Sequence, residues 1–324
     1  MPSRLARLVA AASLALTASA EAIEEPPGTV GPDPSHRSLN GHLFMPSEVI
    51  DNPFTATSVG MSLVFGMGSA VGPRYGIVGD PPRLEVVGTQ DYSFAGGGGY
   101  FRYDQRLWDW ISVRAKLGWA LFSGIDGPSA IAVGANVRPA GSIGVTLGRN
   151  FGDSLRLAAL VDLDYSPQMA LLVAAALAYA IENQDIDPGQ AFQQDNVLTV
   201  VPGVAASWAP IPALGVTAQL MYVGASLDTQ EDSLNESGYS LGLMADLDFG
   251  GFTRVPIGVA LGARITGPFG SGDIDTVRQW ILGVQYTGRE ELAIGVELYW
   301  QTFLVRPELD SEVQIAQFVM RYYW

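Results

Sequence analysis

A period of two dominates this chain from residue 56 to its end. In "TSVGMSLVFGM" the apolar Val59, Met61, Leu63, Phe65 and Met67 alternate with Ser58, Gly60, Ser62, Gly66 and Gly68, interrupted only by Val64. In "LRLAALVDLDY" Leu155, Leu157, Ala159, Val161, Leu163 and Tyr165 oppose Arg156, Asp162 and Asp164. In "ELAIGVELYWQTF" Leu292, Ile294, Val296, Leu298 and Trp300 oppose Gly295, Glu297, Tyr299 and Gln301. Successive side chains of a strand point to opposite faces, so this pattern specifies a sheet with one apolar face and one small or polar face.

Two arrangements hide such an apolar face: a soluble sandwich turns it inward, and a spanning barrel turns it to lipid. Strand spacing selects the second. Twelve segments are expected, at 56–70, 93–107, 111–124, 141–151, 155–166, 195–208, 213–227, 238–250, 254–267, 276–287, 291–305 and 312–324. After every even-numbered segment the connection is tight ("WDW", "GDS", "APIP", "GFT", "GRE"), whereas most connections after odd-numbered ones are longer. Spanning barrels have short turns at one end, long loops at the other and an even strand number. Composition agrees. Charged residues make up 16% of the chain, against about 25% in soluble domains.

The N-terminus "MPSRLARLVAAASLALTASAEA" has a positive n-region at Arg4 and Arg7, an apolar run from Leu8 to Ala18 and small residues for cleavage. Residues 1–22 are therefore expected to be a secretory signal peptide. Residues 23–55 are Pro-rich and read as an irregular periplasmic segment or a plug, and 56–324 as the barrel. No later apolar run reaches the ~18–20 residues that a spanning helix needs.

Within 167–194, the third long connection, "SPQMALLVAAALAYAIENQ" breaks the pattern. A thirteenth strand here would make the number odd. Ser166 is a suitable N-cap, Pro167 suits the first helical position, and the run is Ala- and Leu-rich. A helix is expected at 168–183, with Met169, Leu171, Leu172, Leu177 and Tyr179 giving it a surface too apolar for water. It is expected to plug the lumen or cap its mouth.

The final residues, "IAQFVMRYYW", put Phe318, Met320, Tyr322 and Trp324 on one face and Gln317 and Arg321 on the other. This resembles the C-terminal strand of bacterial outer-membrane β-barrels, whose terminal aromatic is read by the assembly machinery. Trp324 stands where Phe is usual. The resemblance implies Phe318, Tyr322 and Trp324 as an assembly signal, a bacterial outer-membrane location, and lipid and the barrel assembly machinery as partners. The fold expected is a twelve-stranded antiparallel transmembrane β-barrel with one short α-helix in its third extracellular loop.

Alternation assigns the lumen-facing charges: Arg102, Asp104, Arg106, Arg114, Lys116, Arg156, Asp162, Asp164, Asp246, Asp248, Arg264 and Glu297. Cations gather on the second and third strands, and carboxylates on the fifth, eighth and eleventh. They form either a transverse field that orients a polar solute or a structural ion-pair network, since buried charges need partners. The tryptophans Trp108, Trp110, Trp208, Trp280, Trp300 and Trp324 suit interfacial girdles. A net charge of −15 argues against nucleic acid as a partner. The absence of cysteine removes thiolate chemistry, and the acidic loops match no calcium-binding spacing. His36 and His42 both precede the first strand, so a His-based active site at the extracellular rim is hard to assemble. No metal, cofactor or enzymatic activity is expected. The leading functional expectation is passive or gated transport of a small solute, hydrophobic ones included. The rival is a surface-anchor barrel with a permanently filled lumen.

Overall fold

The computed structural model describes residues 36–78, 83–126, 131–172, 192–228, 233–251, 253, 255–269, 276–304 and 311–324. Two very short strands come first, β1 (Ser38–Leu39) and β2 (His42–Leu43). The wall follows: β3 (Ser58–Val78), β4 (Arg83–Trp108), β5 (Ile111–Asp126), β6 (Ile131–Phe151), β7 (Leu155–Leu172), β8 (Phe192–Ile211), β9 (Leu214–Asp228), β10 (Ser233–Asp248), β11 (Ile257–Pro268), β12 (Thr276–Tyr286), β13 (Leu292–Leu304) and β14 (Ser311–Tyr323). Among the described residues these twelve strands form one closed barrel, each antiparallel to its sequence neighbours, with β14 pairing back onto β3 from Tyr323↔Ser58 to Glu312↔Ser69. Closure leaves no unpaired edge, the condition for a sheet to stand in lipid.

The alternation sorts side chains as expected. Phe65, Met67, Leu117, Ile143, Leu243 and Leu261 stand exposed on the outside, while their neighbours Ser62, Ser112, Arg114, Thr146, Ser240 and Asp246 are buried inside. On β5 the apolar band runs from Ile111 to Leu121, about 25 Å of height at the usual strand rise and a tilt of about 40°. Aromatic residues mark both edges. Trp108 and Trp110 stack near the short turns, where Trp208 and Trp324 are also exposed. Towards the long-loop end, Phe269 packs against Tyr222 and Tyr239 with ring centroids 5.7 and 5.6 Å apart.

The twelve expected strands are present, but several run further than the sequence pattern does. The expected loop 71–92 is mostly the extended hairpin of β3 and β4, and much of 125–140 belongs to β5 and β6. Past the outer apolar band neither face of a strand has to be apolar. The period-two signal fades there while backbone pairing continues.

The expected helix at 168–183 requires correction at its start. Gln168–Leu172 continues β7: Gln168 pairs with Asp195 on β8, and Met169 with both Gln194 on β8 and Val137 on β6. Ser166 and Pro167 therefore stand within a strand instead of opening a helix. Ladder bonds from two neighbouring strands outweigh a propensity difference of a few tenths of a kcal/mol per residue. No α-helix occurs among the described residues. Residues 173–183, with Leu177 and Tyr179, lie outside them, as does the expected signal peptide.

Candidate functional site: an occupied lumen

Residues 36–57 lie inside the wall at its short-turn end. They begin with a two-residue hairpin: Asn40 and Gly41, at φ 48° and 76°, join β1 to β2. Both angles suit the type I′ turn that Asn-Gly favours. The turn is tied to two of the short connections, with the Asn40 amide N–H donating to the Asp153 carbonyl (2.8 Å) and its side-chain amide to the Ala209 carbonyl (3.0 Å). Arg37 lies over the Tyr323 ring, 4.7 Å from its centroid, and donates to the Phe44 carbonyl. Beyond the hairpin the chain climbs to Glu48–Asp51, then descends through Pro53 and Thr55 to enter β3.

Side chains of nine wall strands hold this segment, counted among the described residues. Asp246 on β10 accepts the Met45 amide (2.8 Å) and lies 3.3 Å from His42. Gln285 on β12 donates to the Pro46 carbonyl at 2.7 Å. Glu297 on β13 accepts the Glu48 amide at 3.2 Å, and Gln219 on β9 accepts the Asp51 amide at 2.9 Å. Arg264 on β11 donates to the Val49 carbonyl at 3.2 Å. Arg156 on β7 donates to the Pro53 carbonyl and the Thr55 hydroxyl, both at 2.8 Å. These polar side chains satisfy the backbone of an irregular segment that has no ladder of its own.

Ionic contacts complete the hold. The Glu48 carboxylate pairs with Arg321 on β14 and lies 3.8 Å from both Arg102 on β4 and Lys116 on β5. Asp51 lies 2.9 Å from Arg114 on β5 and 3.4 Å from Arg102. Asp104 bridges Arg102 (2.7 Å) and Arg114 (3.3 Å), and Asp162 on β7 takes Arg114 at 3.4 Å. Glu48 and Asp51 belong to no spanning strand. Burial alone pushes both carboxyls up, but the cations prevail: Arg321, Lys116 and Arg102 at Glu48, and Arg114, Lys116 and Arg102 at Asp51, hold them below the usual carboxylate range.

Between these polar contacts the strands β10–β13 also carry an apolar patch. Met45 and Ile50 pack on Met244, Ala260, Ile281 and Tyr299, and Phe44 and Phe54 on Leu39 and Ala209. Each fully buried large apolar side chain contributes roughly 1.5–3 kcal/mol. Inward glycines make the space. A Cβ on Gly148 would sit 2.8 Å from the Pro53 carbonyl oxygen, and one on Gly242 would sit 3.1 Å from Ile50 Cγ1.

The segment stops partway up the barrel. Val49 and Asp51, at its top, meet Arg114 and Gln219 in the first half of β5 and β9 and Arg264 just past the middle of β11. The Lys116 and Asp51 side chains keep 25% and 22% exposure inside a closed wall, so unfilled space remains in the lumen beside them.

The expected charges sort into three groups. Arg102, Asp104, Arg114, Lys116, Asp162 and Asp164 stand together on β4, β5 and β7, facing the lumen. Arg156, near the start of β7, and Asp246, Arg264 and Glu297, on β10, β11 and β13, hydrogen-bond the segment. Arg106 and Asp248 belong to the short-turn rim: Arg106 pairs with Asp109, and Asp248 accepts from the Gly250 amide and the Thr287 hydroxyl. Phe318, Tyr322 and Trp324 lie exposed on the outer face. Sequence reasoning missed Glu48, Asp51, Arg321, Gln219, Gln285 and His42. Two signals for the segment were present, the Asn40-Gly41 pair and the apolar cluster Phe44, Met45, Val49, Ile50 and Phe54 in a Pro-rich stretch. No cluster of three or more metal-ligating side chains occurs among the described residues.

No family model matches the chain, and no curated protein matches it. Among solved structures it is similar to the transport unit of the autotransporter AIDA-I from Escherichia coli, with a TM-score of 0.53 at 13% identity, covering 82% of this chain and 90% of that one. It is also similar to the translocator domain of autotransporter NalP from Neisseria meningitidis (TM-score 0.49, 10% identity, 83% and 88% covered). A Pseudomonas aeruginosa FadL homologue gives a TM-score of 0.45 at 12% identity, with 88% and 96% covered. These are outer-membrane β-barrels, and at such identities the fold is what this chain shares with them.

Proposed function

We propose that the chain is a gated passage for a small solute across the bacterial outer membrane, closed at rest by residues 44–57. It is not an enzyme in this reading, and its standing partners are outer-membrane lipid and the assembly machinery that reads Phe318, Tyr322 and Trp324. The short turns face the periplasm, and the unfilled part of the lumen opens outward. The observation that carries the reading is the incompletely filled lumen: space remains beside Lys116 and Asp51, whose side chains keep 25% and 22% exposure inside the wall. A barrel serving only as an anchor would need no such recess. The hold on the segment also suits release. Beside the apolar packing of Phe44, Met45, Ile50 and Phe54, it rests on hydrogen bonds and ion pairs from many strands, which water entering the lumen can replace singly.

The glycine floor offers a test that leaves every charge in place. In Gly148→Val the new side chain meets the Pro53 carbonyl and the Arg156 guanidinium, which forces the descending limb off the wall. Reconstituted into vesicles, this variant is expected to release a small entrapped dye much faster than wild type while keeping the heat-modifiable gel mobility of a folded barrel. A folded Gly148→Val barrel that releases dye no faster than wild type sinks the transport reading in favour of the permanently filled anchor.

A further inference from the structure

The segment that closes the lumen also describes what would replace it. Around Glu48–Asp51 the lumen has two unlike sides. One presents four cations, Arg102, Arg114, Lys116 and Arg321, within 4 Å of the segment's carboxylates. The other presents an apolar patch of Met244, Ala260 and Ile281, packed on Met45 and Ile50, beside Asp246, Arg264 and Glu297, which bond the segment's backbone. The sequence "EVID" fits both, with Glu48 and Asp51 to the cations and Ile50 to the apolar wall.

Charge matching on the cationic side depends on the segment. Among the described residues, the four cations have two wall carboxylates as ion-pair partners, Asp104 and Asp162, and two from the segment, Glu48 and Asp51. Asp164, bonded to Ser142, stands further off. Withdrawal of the segment therefore leaves one or two buried cations without a counter-charge, a state that costs several kcal/mol. The existing match is also imperfect: among the described residues Arg321 Nε, in a side chain 4% exposed, has no hydrogen-bond acceptor.

We infer that the lumen takes up an amphipathic organic anion, a carboxylate or sulfonate on an alkyl or aryl body, in the place of the Glu48–Asp51 segment. This rests on the gated-passage reading. The anion meets Lys116 first, because its side chain keeps 25% exposure against 4–7% for the three arginines. Its head then takes Arg114 and Arg102 as Asp51 leaves, and its body takes the apolar surface that Ile50 vacates. An exchange of one carboxylate for another keeps the number of buried pairs constant. A neutral or cationic solute would have to leave guanidinium groups unpaired, so the same charges that hold the segment select the solute.

Because the chain has no cysteine, one engineered thiol reports the exchange in the full-length barrel. Val49→Cys is nearly isosteric, and its labelling by a water-soluble maleimide is slow while the segment is seated. Octanesulfonate is expected to speed labelling several-fold. Methanesulfonate, with the same charge and no chain, and octyltrimethylammonium, with the same chain and opposite charge, are expected to leave it unchanged. Lys116→Met in the same background should raise the octanesulfonate concentration required by roughly tenfold, the loss of one charge-assisted contact. Equal acceleration by both octyl probes, equal acceleration by both sulfonates, or no response to octanesulfonate overturns the inference. Asn52→Cys serves as the reporter if Val49→Cys loses heat-modifiable mobility. Dye release by Gly148→Val together with a thiol indifferent to octanesulfonate refutes the solute class alone; failure of Gly148→Val to release dye refutes the gate.

Discussion

A barrel lacking residues 38–55, with β3 otherwise intact, is expected to conduct steadily in planar bilayers, on the order of tenfold or more above the wild-type background. The wall explains why. Twelve strands spaced about 4.8 Å apart and tilted about 40° close at a backbone radius of about 12 Å. The inner surface intersperses Gly and Ala, as at Gly60, Gly66, Ala158, Gly203, Ala205 and Gly258, with its long polar side chains, which leaves room for an inserted segment. The segment fills the lower half, with Phe44, Met45 and Ile50 at 0–1% exposure. Its removal deletes no wall strand and no ladder bond of the wall, so the variant should retain heat-modifiable mobility. Conductance as low as that of wild type, in a folded deletion barrel, would mean that something other than residues 38–55 closes the passage.

Glu48→Gln is the smallest change expected to have a comparable effect. The Glu48 and Arg321 side chains are 5% and 4% exposed, and among the described residues Glu48 is the one ion-pair partner Arg321 has. The amide keeps the shape and removes the charge, leaving a buried guanidinium unmatched. Breaking one member of such a pair costs about 3–5 kcal/mol. At 1.4 kcal/mol per factor of ten, the lower bound raises the unseated fraction about a hundredfold. The open probability of single barrels should rise accordingly, with the unit conductance of each opening unchanged. The wall pairs Arg102–Asp104 and Arg114–Asp162 do not involve Glu48, which limits damage to the barrel itself. An unchanged open probability would show that the segment is held by its backbone contacts to Asp246, Glu297, Gln219 and Gln285 rather than by charge.

The wall was legible in the sequence because lipid and lumen impose opposite demands on alternate residues. Val59 to Met67 and Leu292 to Trp300 advertise their strands for that reason, and the tight "GDS" and "GRE" connections give the parity. Legibility ended where one demand ended. Past the outer apolar band, β3, β4, β6 and β7 continue by pairing alone, and Met169 and Leu171 read as helix formers although the ladder of β6 and β8 claims them. The wall half of the site, Arg102, Arg114, Lys116, Asp162 and Glu297, followed from alternation. Its counterpart did not. Glu48 and Asp51 lie on an aperiodic segment whose partners are 51 to 273 residues away in sequence, and no local pattern encodes such a contact. Arg321 sat on the polar face of the last strand, and nothing nearby in the sequence gave it a partner.

The central claim, that residues 44–57 close the lumen and leave it for passage, is tested most directly by the current through one barrel with that segment tethered. Ile50→Cys with Gly242→Cys supplies the tether, since Ile50 Cγ1 lies 3.1 Å from where a Cβ at 242 would stand, close enough for a disulfide. The oxidised barrel is expected to show no openings, and reduction of the same barrel should restore them. Openings that persist in the oxidised barrel would contradict the account.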